Sequence, residues 1–345
     1  MNRIPQIRMG PPVVFFGGLA IFAATFFISV ILPWGTVEKE PSDIWRPRTP
    51  IEEQGRIVYV RNGCTYCHSQ FIRNIDWGVG AVRVAREGDY IQDQPHLLGT
   101  ERTGPDLSQE GGRHPDDWHV AHFMNPRFVS PESVMPSFEF LGMEKIQALI
   151  AYKQSLGFQM ADARVQRQLF WKDQAIRAFE AGPDENVAWL HDMVPEPWRR
   201  LPNPYPTTDY SLQRGKRIYQ MFCIGCHGPI GDGMGPAQPF LNPPPLNFTL
   251  LKGRGISGGI LYYQIMNGIT GTAMPFFKKD LESEKIWDVG DYVAVFFIGE
   301  TDADTAPEGI DAAEEPTQPK SILEVLDELE TPLGKPLEDR RYRRR

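Results

Sequence analysis

Two stretches carry residue types at a spacing that can hold a cofactor covalently: Cys64-Thr65-Tyr66-Cys67-His68 and Cys223-Ile224-Gly225-Cys226-His227. A C-x-x-C-H run reads as c-type haem attachment, in which both thiols form thioethers with the haem vinyls and the next imidazole ligates the iron. A tether of this kind retains a cofactor that a small, loop-rich domain would not hold by packing alone. A lone C-x-x-C also suits half of a zinc site or a redox dithiol. Here the two pairs lie far apart in sequence, unlike a compact four-cysteine zinc site. A dithiol leaves the repeated histidine unexplained. These are all four cysteines of the chain, so two haem c groups would leave none for a disulfide.

A haem iron of this type takes a second axial ligand, and a methionine opposite the histidine raises its potential. Each motif is followed by a Met-Pro, in Ser133-Val134-Met135-Pro136-Ser137-Phe138 and in Thr272-Ala273-Met274-Pro275-Phe276-Phe277. Proline denies these loops a helical continuation and stiffens them, which suits a thioether that must be aimed. Met124, Met143, Met221, Met234 and Met266 lack that context and read as core filling. The expected site is therefore Cys64 and Cys67 as thioethers with His68 and Met135 on the first iron. Cys223 and Cys226 play the same part with His227 and Met274 on the second. No nucleophile, base and acid set for a bond-breaking reaction stands out, so no catalytic residue is assigned.

Other chemistry-bearing residues have plainer readings. His119 and His122 lie three apart on an expected helix, a spacing open to a metal, but no carboxylate or cysteine completes a site; they are expected to face a haem propionate or a partner. Arg102, Arg113 and Arg127 suit propionates or the surface alike. Gly228 to Gly235 lacks the Gly-Lys-Ser/Thr of a phosphate loop and reads as the tight turn after the second haem histidine. His96, His114 and His191 have no evident partner.

The elements that must position these residues are legible as periodicity. Val13 to Leu32 carry no charge, and a span of about 20 residues rises ~30 Å as a helix, enough to cross the hydrocarbon core. Arg3 and Arg8 precede it and Glu38, Glu40 and Asp43 follow, which places the N-terminus in the cytoplasm and the rest outside. No small-x-small cleavage site follows, so an uncleaved anchor is expected. Helix-like Ile51 to Asn62, with Gly55 and Tyr59, precedes the first motif. Ser211 to Phe222 precedes the second, with Gly215 and Tyr219 at the same mutual spacing. Amphipathic Glu144 to Leu156 and Glu282 to Ile298 close the two halves. Helix, haem motif, long loop, Met-Pro, helix: the programme runs twice, as an internal duplication. Between the halves, Ala161 to Ala181 reads as a helix. Pro195, Pro197, Pro202, Pro204 and Pro206 then read as a semi-rigid extended connector, letting the second domain sit further from the membrane.

The chain of 345 residues suits two domains. Its 32 glycines and 31 prolines favour a loop-rich fold, and its net charge of -8 excludes a general nucleic-acid binder. The fold class expected is mainly α: an N-terminal transmembrane helix followed by two class I-like cytochrome c domains joined by a helical and proline-rich linker. The boundaries are 1–12 for a cytoplasmic N-terminus, 13–34 for the anchor, 48–158 for the first domain and 159–207 for the linker. The second domain is 208–299, and 300–345 is an acidic linker and charged tail with a short helix opened by Ser321 and an arginine-rich end.

The first half carries more than a generic haem domain. Tyr59-Val60-Arg61-Asn62-Gly63-Cys64, His68-Ser69-Gln70 and Gly99-Thr100-Glu101-Arg102-Thr103-Gly104-Pro105-Asp106-Leu107 stand in order. Trp118-His119-Val120-Ala121-His122, Asn125-Pro126-Arg127 and Pro131-Glu132-Ser133-Val134-Met135-Pro136 follow. Over residues 10 to 157 this resembles the membrane-anchored c-type cytochrome subunit (subunit II, FixO-type) of cbb3-type haem-copper oxidases. The resemblance implies a His/Met haem c held by Cys64, Cys67, His68 and Met135 beside a polytopic catalytic subunit carrying haem b and copper. It implies a bacterial inner membrane, with the haem domains periplasmic. The usual subunit of this type carries one haem and ends near Gly157. The added Asp209 to Gly299 resembles a class I cytochrome c, including His227-Gly228-Pro229 and Gly231-Asp232-Gly233, in a role like that of the separate dihaem subunit of such oxidases. The implied function is a dihaem electron-transfer subunit of a respiratory-chain oxidase, fed by a soluble cytochrome c or a quinol-oxidising complex. Two alternatives stay open, a subunit of a related nitric oxide reductase and a free-standing anchored dihaem carrier.

Overall fold

The computed structural model describes residues 10–36, 40–79, 83–99 and 102–299. The acidic segment, the short helix at Ser321 and the arginine-rich end lie outside the described residues. The described residues form helices and loops and no strand.

Helix α1 runs from Pro11 to Thr36 and is 26 residues long. Pro11 and Pro12 occupy its first turn, where a missing N–H costs nothing. It is apolar all round and none of it is buried against the protein, the pattern of a helix long and apolar enough to cross a membrane. A π-turn over Phe27–Ile31 interrupts it. Pro33 cannot donate to the Ser29 carbonyl, and the Ser29 hydroxyl donates back to the Thr25 carbonyl at 2.6 Å, so the ladder widens there.

Helix α2 (Pro50–Arg61) begins in a capping box: the Thr49 hydroxyl accepts from the Glu52 N–H, and Glu52 accepts from the Thr49 N–H at 2.7 Å. Asn62 and Gly63 stop it, Gly63 with φ of +69°, and deliver the chain to Cys64. After α3 (Asp116–Met124), helix α4 (Met143–Ser155) crosses α2 with no gap. A Cβ on Gly55 would fall 1.9 Å from the Ala148 carbonyl oxygen, so only glycine admits this crossing. One turn on, Tyr59 and Tyr152 meet edge to face, centroids 5.3 Å apart.

The second half repeats the device. Helix α5 (Phe158–Ala181) and α6 (Pro183–Asp192) lead to α7 (Asp209–Phe222), capped by Thr208 with Ser211. Helix α8 (Gly258–Asn267) follows, and α9 (Ser283–Val293) crosses α7 where a Cβ on Gly215 would lie 2.2 Å from the Asp288 carbonyl oxygen. Tyr219 and Tyr292 meet there at 5.7 Å. The glycine and tyrosine pairs that the sequence repeats are thus the contact points of two equivalent helix crossings.

The connector departs from the expected extended spacer. Glu196–Arg199 is helical, Trp198 stacks on Tyr262 at 6.0 Å, and Tyr262 stacks on buried Trp287 at 4.5 Å. Asn203 and Thr207 donate to Asp291 at 2.9 and 2.6 Å. Aromatic burial and these bonds outweigh the extended preference of the prolines, and the segment lies along the second domain. Helix α5 braces both halves as well. Arg164 donates to the Gly111 carbonyl at 2.7 Å, while the Gln168 side chain accepts from the Gly271 N–H at 2.6 Å.

Candidate haem sites

In the first site, Gly63 turns the chain so that Cys64 to Tyr66 form one tight helical turn and Cys67 and His68 follow. The His68 ring lies against Gly104, where a Cβ would come within 2.2 Å of its Cε1. Its Nδ1 donates to the Pro105 carbonyl at 2.9 Å, which fixes the tautomer and leaves Nε2 free for a metal. Asp106 organises the wall behind the motif, accepting from the Ser69 hydroxyl at 2.6 Å and the Phe71 N–H at 2.8 Å. Met135 and Cys64 pack on the same buried core around Tyr59 and Leu149. The Ser133 hydroxyl accepts from the Met135 N–H at 3.2 Å, and Arg127 donates to the Met135 carbonyl.

The second site is drawn more openly. Cys223, Cys226, His227 and Met274 all line one apolar cleft of about 1230 Å³, mouth included. Nδ1 of His227 donates to the Leu246 carbonyl at 3.3 Å, repeating the orientation of His68. The Thr272 hydroxyl accepts from the Met274 N–H at 3.2 Å, repeating Ser133 and Met135. In both loops a hydroxyl two residues before the methionine fixes the methionine's backbone.

Burial dominates the electrostatics. It pushes the Cys64 thiol up to about 11 and those of Cys223 and Cys226 to about 12. It pushes the His227 imidazole down to about 4 and lowers His68 as well, so both rings are neutral and ready to ligate.

Two further histidines gather beside the first site. His119 is buried, with both ring nitrogens unpartnered, and so is Nδ1 of His122. Burial holds His119 well below the ordinary range and His122 down to about 3. Buried Lys153 stands in the field of both, of His68 and of Cys64. Unpartnered buried polar atoms are costly, so this wall is arranged for a group that supplies partners. That fits a porphyrin and its propionates. Among the described residues no group of three or more His, Cys, Asp or Glu could hold a metal ion. Arg102 is committed to Asp76 at 2.8 Å and to the Phe71 carbonyl at 2.7 Å, which gives it a structural role in the loop.

The residues of both sites therefore fit haem c. When bound, that group supplies one-electron exchange at its iron. The chain's own part would be to tether it, orient the imidazoles, aim the thioethers and exclude water.

Residues 11–154 match the family described as cytochrome c oxidase, mono-haem subunit/FixO. Residues 211–293 match cytochrome c oxidase, cbb3-type, subunit III. One chain thus joins a FixO-type module to a second, cbb3-type cytochrome c domain. No curated protein matches it. Among solved structures, the reducing HAO-like protein complex of Kuenenia stuttgartiensis is 19% identical over 74% of this chain and 99% of that one, at a TM-score of 0.25, too low to speak to fold or function. The FixO-type module brings membrane anchoring, covalently bound haem c and association with a haem-copper catalytic subunit. Both matches support a cytochrome c electron-transfer subunit of a cbb3-type oxidase. The second match sharpens the reading of Asp209 to Gly299 from a class I cytochrome c to a cbb3-type one.

Sequence reasoning missed several residues of these sites. The Pro105 and Leu246 carbonyls are backbone groups that any residue would provide. Trp118 and Val129 of the FixO-type module, and Phe179 and Trp189 of α5 and α6, line the second cleft from outside the second domain. The i, i+4 spacing of Trp118 and His122 on one helical face was the available signal for Trp118.

Proposed function

We propose that the protein is a dihaem subunit, with one haem c on Cys64 and Cys67 between His68 and Met135, and a second on Cys223 and Cys226 between His227 and Met274. The observation that carries this reading is the repeated set of supports: an Nδ1-to-carbonyl bond behind each histidine and a hydroxyl-to-N–H bond before each methionine. Electrons enter from a soluble cytochrome c or a quinol-oxidising complex at the second haem. They pass to the first haem and on to the haem-copper subunit. The first motif closely follows the anchor in sequence, so its haem stays near the membrane in which the catalytic subunit is embedded. The basic residues before α1 and acidic residues after it favour a cytoplasmic N-terminus and periplasmic haem domains. Oxygen is the acceptor that the two cbb3-type matches favour over nitric oxide.

A structure of the purified complex tests the order through its iron-to-iron distances. The first haem should be the nearer to the haem b of the catalytic subunit. A second haem closer to haem b would reverse the order.

A further inference from the structure

The second haem cleft is not built by the second domain alone. Trp118 of α3 lines it together with Cys226, His227 and Met274. Trp118 and Cys226 also pack against one small core formed by Ala121, Ala237, Leu241 and Ala273, drawn from both halves of the chain. The halves touch at the second haem motif itself, since a Cβ on Gly225 would lie 2.2 Å from the Phe128 carbonyl oxygen. Asp117, next to Trp118, ties the junction. It accepts from the Asn242 N–H at 2.9 Å and pairs with Lys172 of α5 at 2.6 Å.

The same indole reaches the first site. His114, in the bend before α3, and His122, one helical turn on, stack on it at 3.9 and 4.8 Å with ring planes within 14° and 13° of parallel. His122 in turn meets Phe123 with ring centroids 5.7 Å apart, and Phe123 belongs to the core on which Cys64 and Met135 pack.

We propose that Trp118 is a wall shared by both haem sites, packing on the second haem and coupling it electronically to the first through the His122 stack. This rests on the dihaem reading given above. With both haems bound, one electron would pass from the ferrous iron that His227 holds to the ferric iron that His68 holds. The former is oxidised, the latter reduced, and no bond forms or breaks. Trp118 undergoes no net redox change. Its role is to replace a solvent gap with packed π-density, because electronic coupling falls steeply across empty space or water. The same wall keeps water off the second haem, which raises that haem's potential by disfavouring the more highly charged ferric state.

The test uses the full chain, unmodified and as Trp118→Leu and Trp118→Phe. Covalent haem is counted first, by mass and by haem stain on the denatured chain. Fewer than two haems in the unmodified chain overturns the dihaem reading itself. With two haems in each protein, the potential of each haem and the rate of electron exchange between them after pulsed photoreduction are measured. In Trp118→Leu, exchange should slow several-fold and the potential of the second haem should fall, while Trp118→Phe, which keeps a ring in the stack, recovers much of both. Equal rates and potentials in all three proteins, or phenylalanine performing no better than leucine, would overturn the role of Trp118 and leave the dihaem reading intact.

Discussion

Gly215→Ala is the sharpest probe of the helix crossing beneath the second haem motif, because two effects of known size oppose each other there. Alanine in place of a mid-helix glycine stabilises by up to about 1 kcal/mol through backbone entropy. At Gly215 the new Cβ would meet the Asp288 carbonyl oxygen at 2.2 Å, its carbon at 2.8 Å and the Tyr292 Cβ at 2.9 Å. Ordinary contact begins near 3.4 Å, so α7 and α9 must part by roughly 1 Å, and the atoms in the way are backbone. Overpacking of this kind costs about 1–3 kcal/mol, and the upper half of that range applies where backbone must yield. The parting also strains the contact of Tyr219 with Tyr292 and the Tyr219 hydroxyl's bond to the Gly228 carbonyl at 2.6 Å, just beyond His227. The net expectation is about 1–2 kcal/mol of destabilisation. A domain of this size loses about 4–8 °C in Tm per kcal/mol. Gly290 on α9 supplies the control, since the nearest atom to its Cβ would be Leu261 Cβ at 3.9 Å. Gly290→Ala should therefore raise Tm by a few degrees. Thermal unfolding of the haem-loaded full chain, followed by far-UV circular dichroism, measures both. A stabilising Gly215→Ala, or equal effects at the two glycines, would refute the close crossing.

Met135→His and Met274→His should each lower the potential of one haem by on the order of 0.1–0.3 V, within the ~0.8 V that axial ligands command; redox titration checks this, and unmoved potentials would reject the ligand assignment. Gly104→Ala forces a methyl to within 2.2 Å of the His68 Cε1 and should tilt that ring. The methionine-to-iron absorption of the first haem should then weaken while that of the second stays, and loss of both or neither would contradict the geometry. Burial alone would raise the Glu52 carboxyl, but hydrogen bonds from Arg46 and Thr49 and the charge of Arg46 hold it below its ordinary 4.5. Its contribution is therefore full above pH 4.5 and lost as pH falls through the lower folded-state value. Glu52→Gln should cost about 1–2 kcal/mol at neutral pH, a penalty that shrinks on acidification in denaturant titrations. A penalty constant with pH would argue against the Arg46 pairing.

What the sequence made legible was local. Gly55 with Tyr59 and Gly215 with Tyr219 announce two crossings because a glycine one turn before a tyrosine fixes where a second backbone can approach. The two Met-Pro loops are legible for the same reason, and the hydroxyls of Ser133 and Thr272 stand at the same offset from their methionines. The helix before each haem motif was legible within two residues from periodicity alone, and the structure adds the caps at Thr49 and Thr208 that fix where each begins. The junction was not legible. Trp118 against Cys226, Asp117 against Asn242 and Gly225 against Phe128 join residues far apart in sequence, and no periodicity encodes such pairings. The proline-rich segment misled for a related reason. Its composition favours extension, and Trp198 reverses that only by reaching an aromatic partner on α8.

The central claim is that this chain links a donor to a cbb3-type catalytic subunit through two haems of its own. Purification of the intact complex from membranes through a tag on this chain tests it most directly, with subunit identity and haem per chain read by mass spectrometry. The account predicts two covalent haem c groups on this chain and co-purification of a polytopic subunit containing haem b and copper. A chain that carries a single haem, or that leaves the membrane without a haem-copper partner, would contradict it.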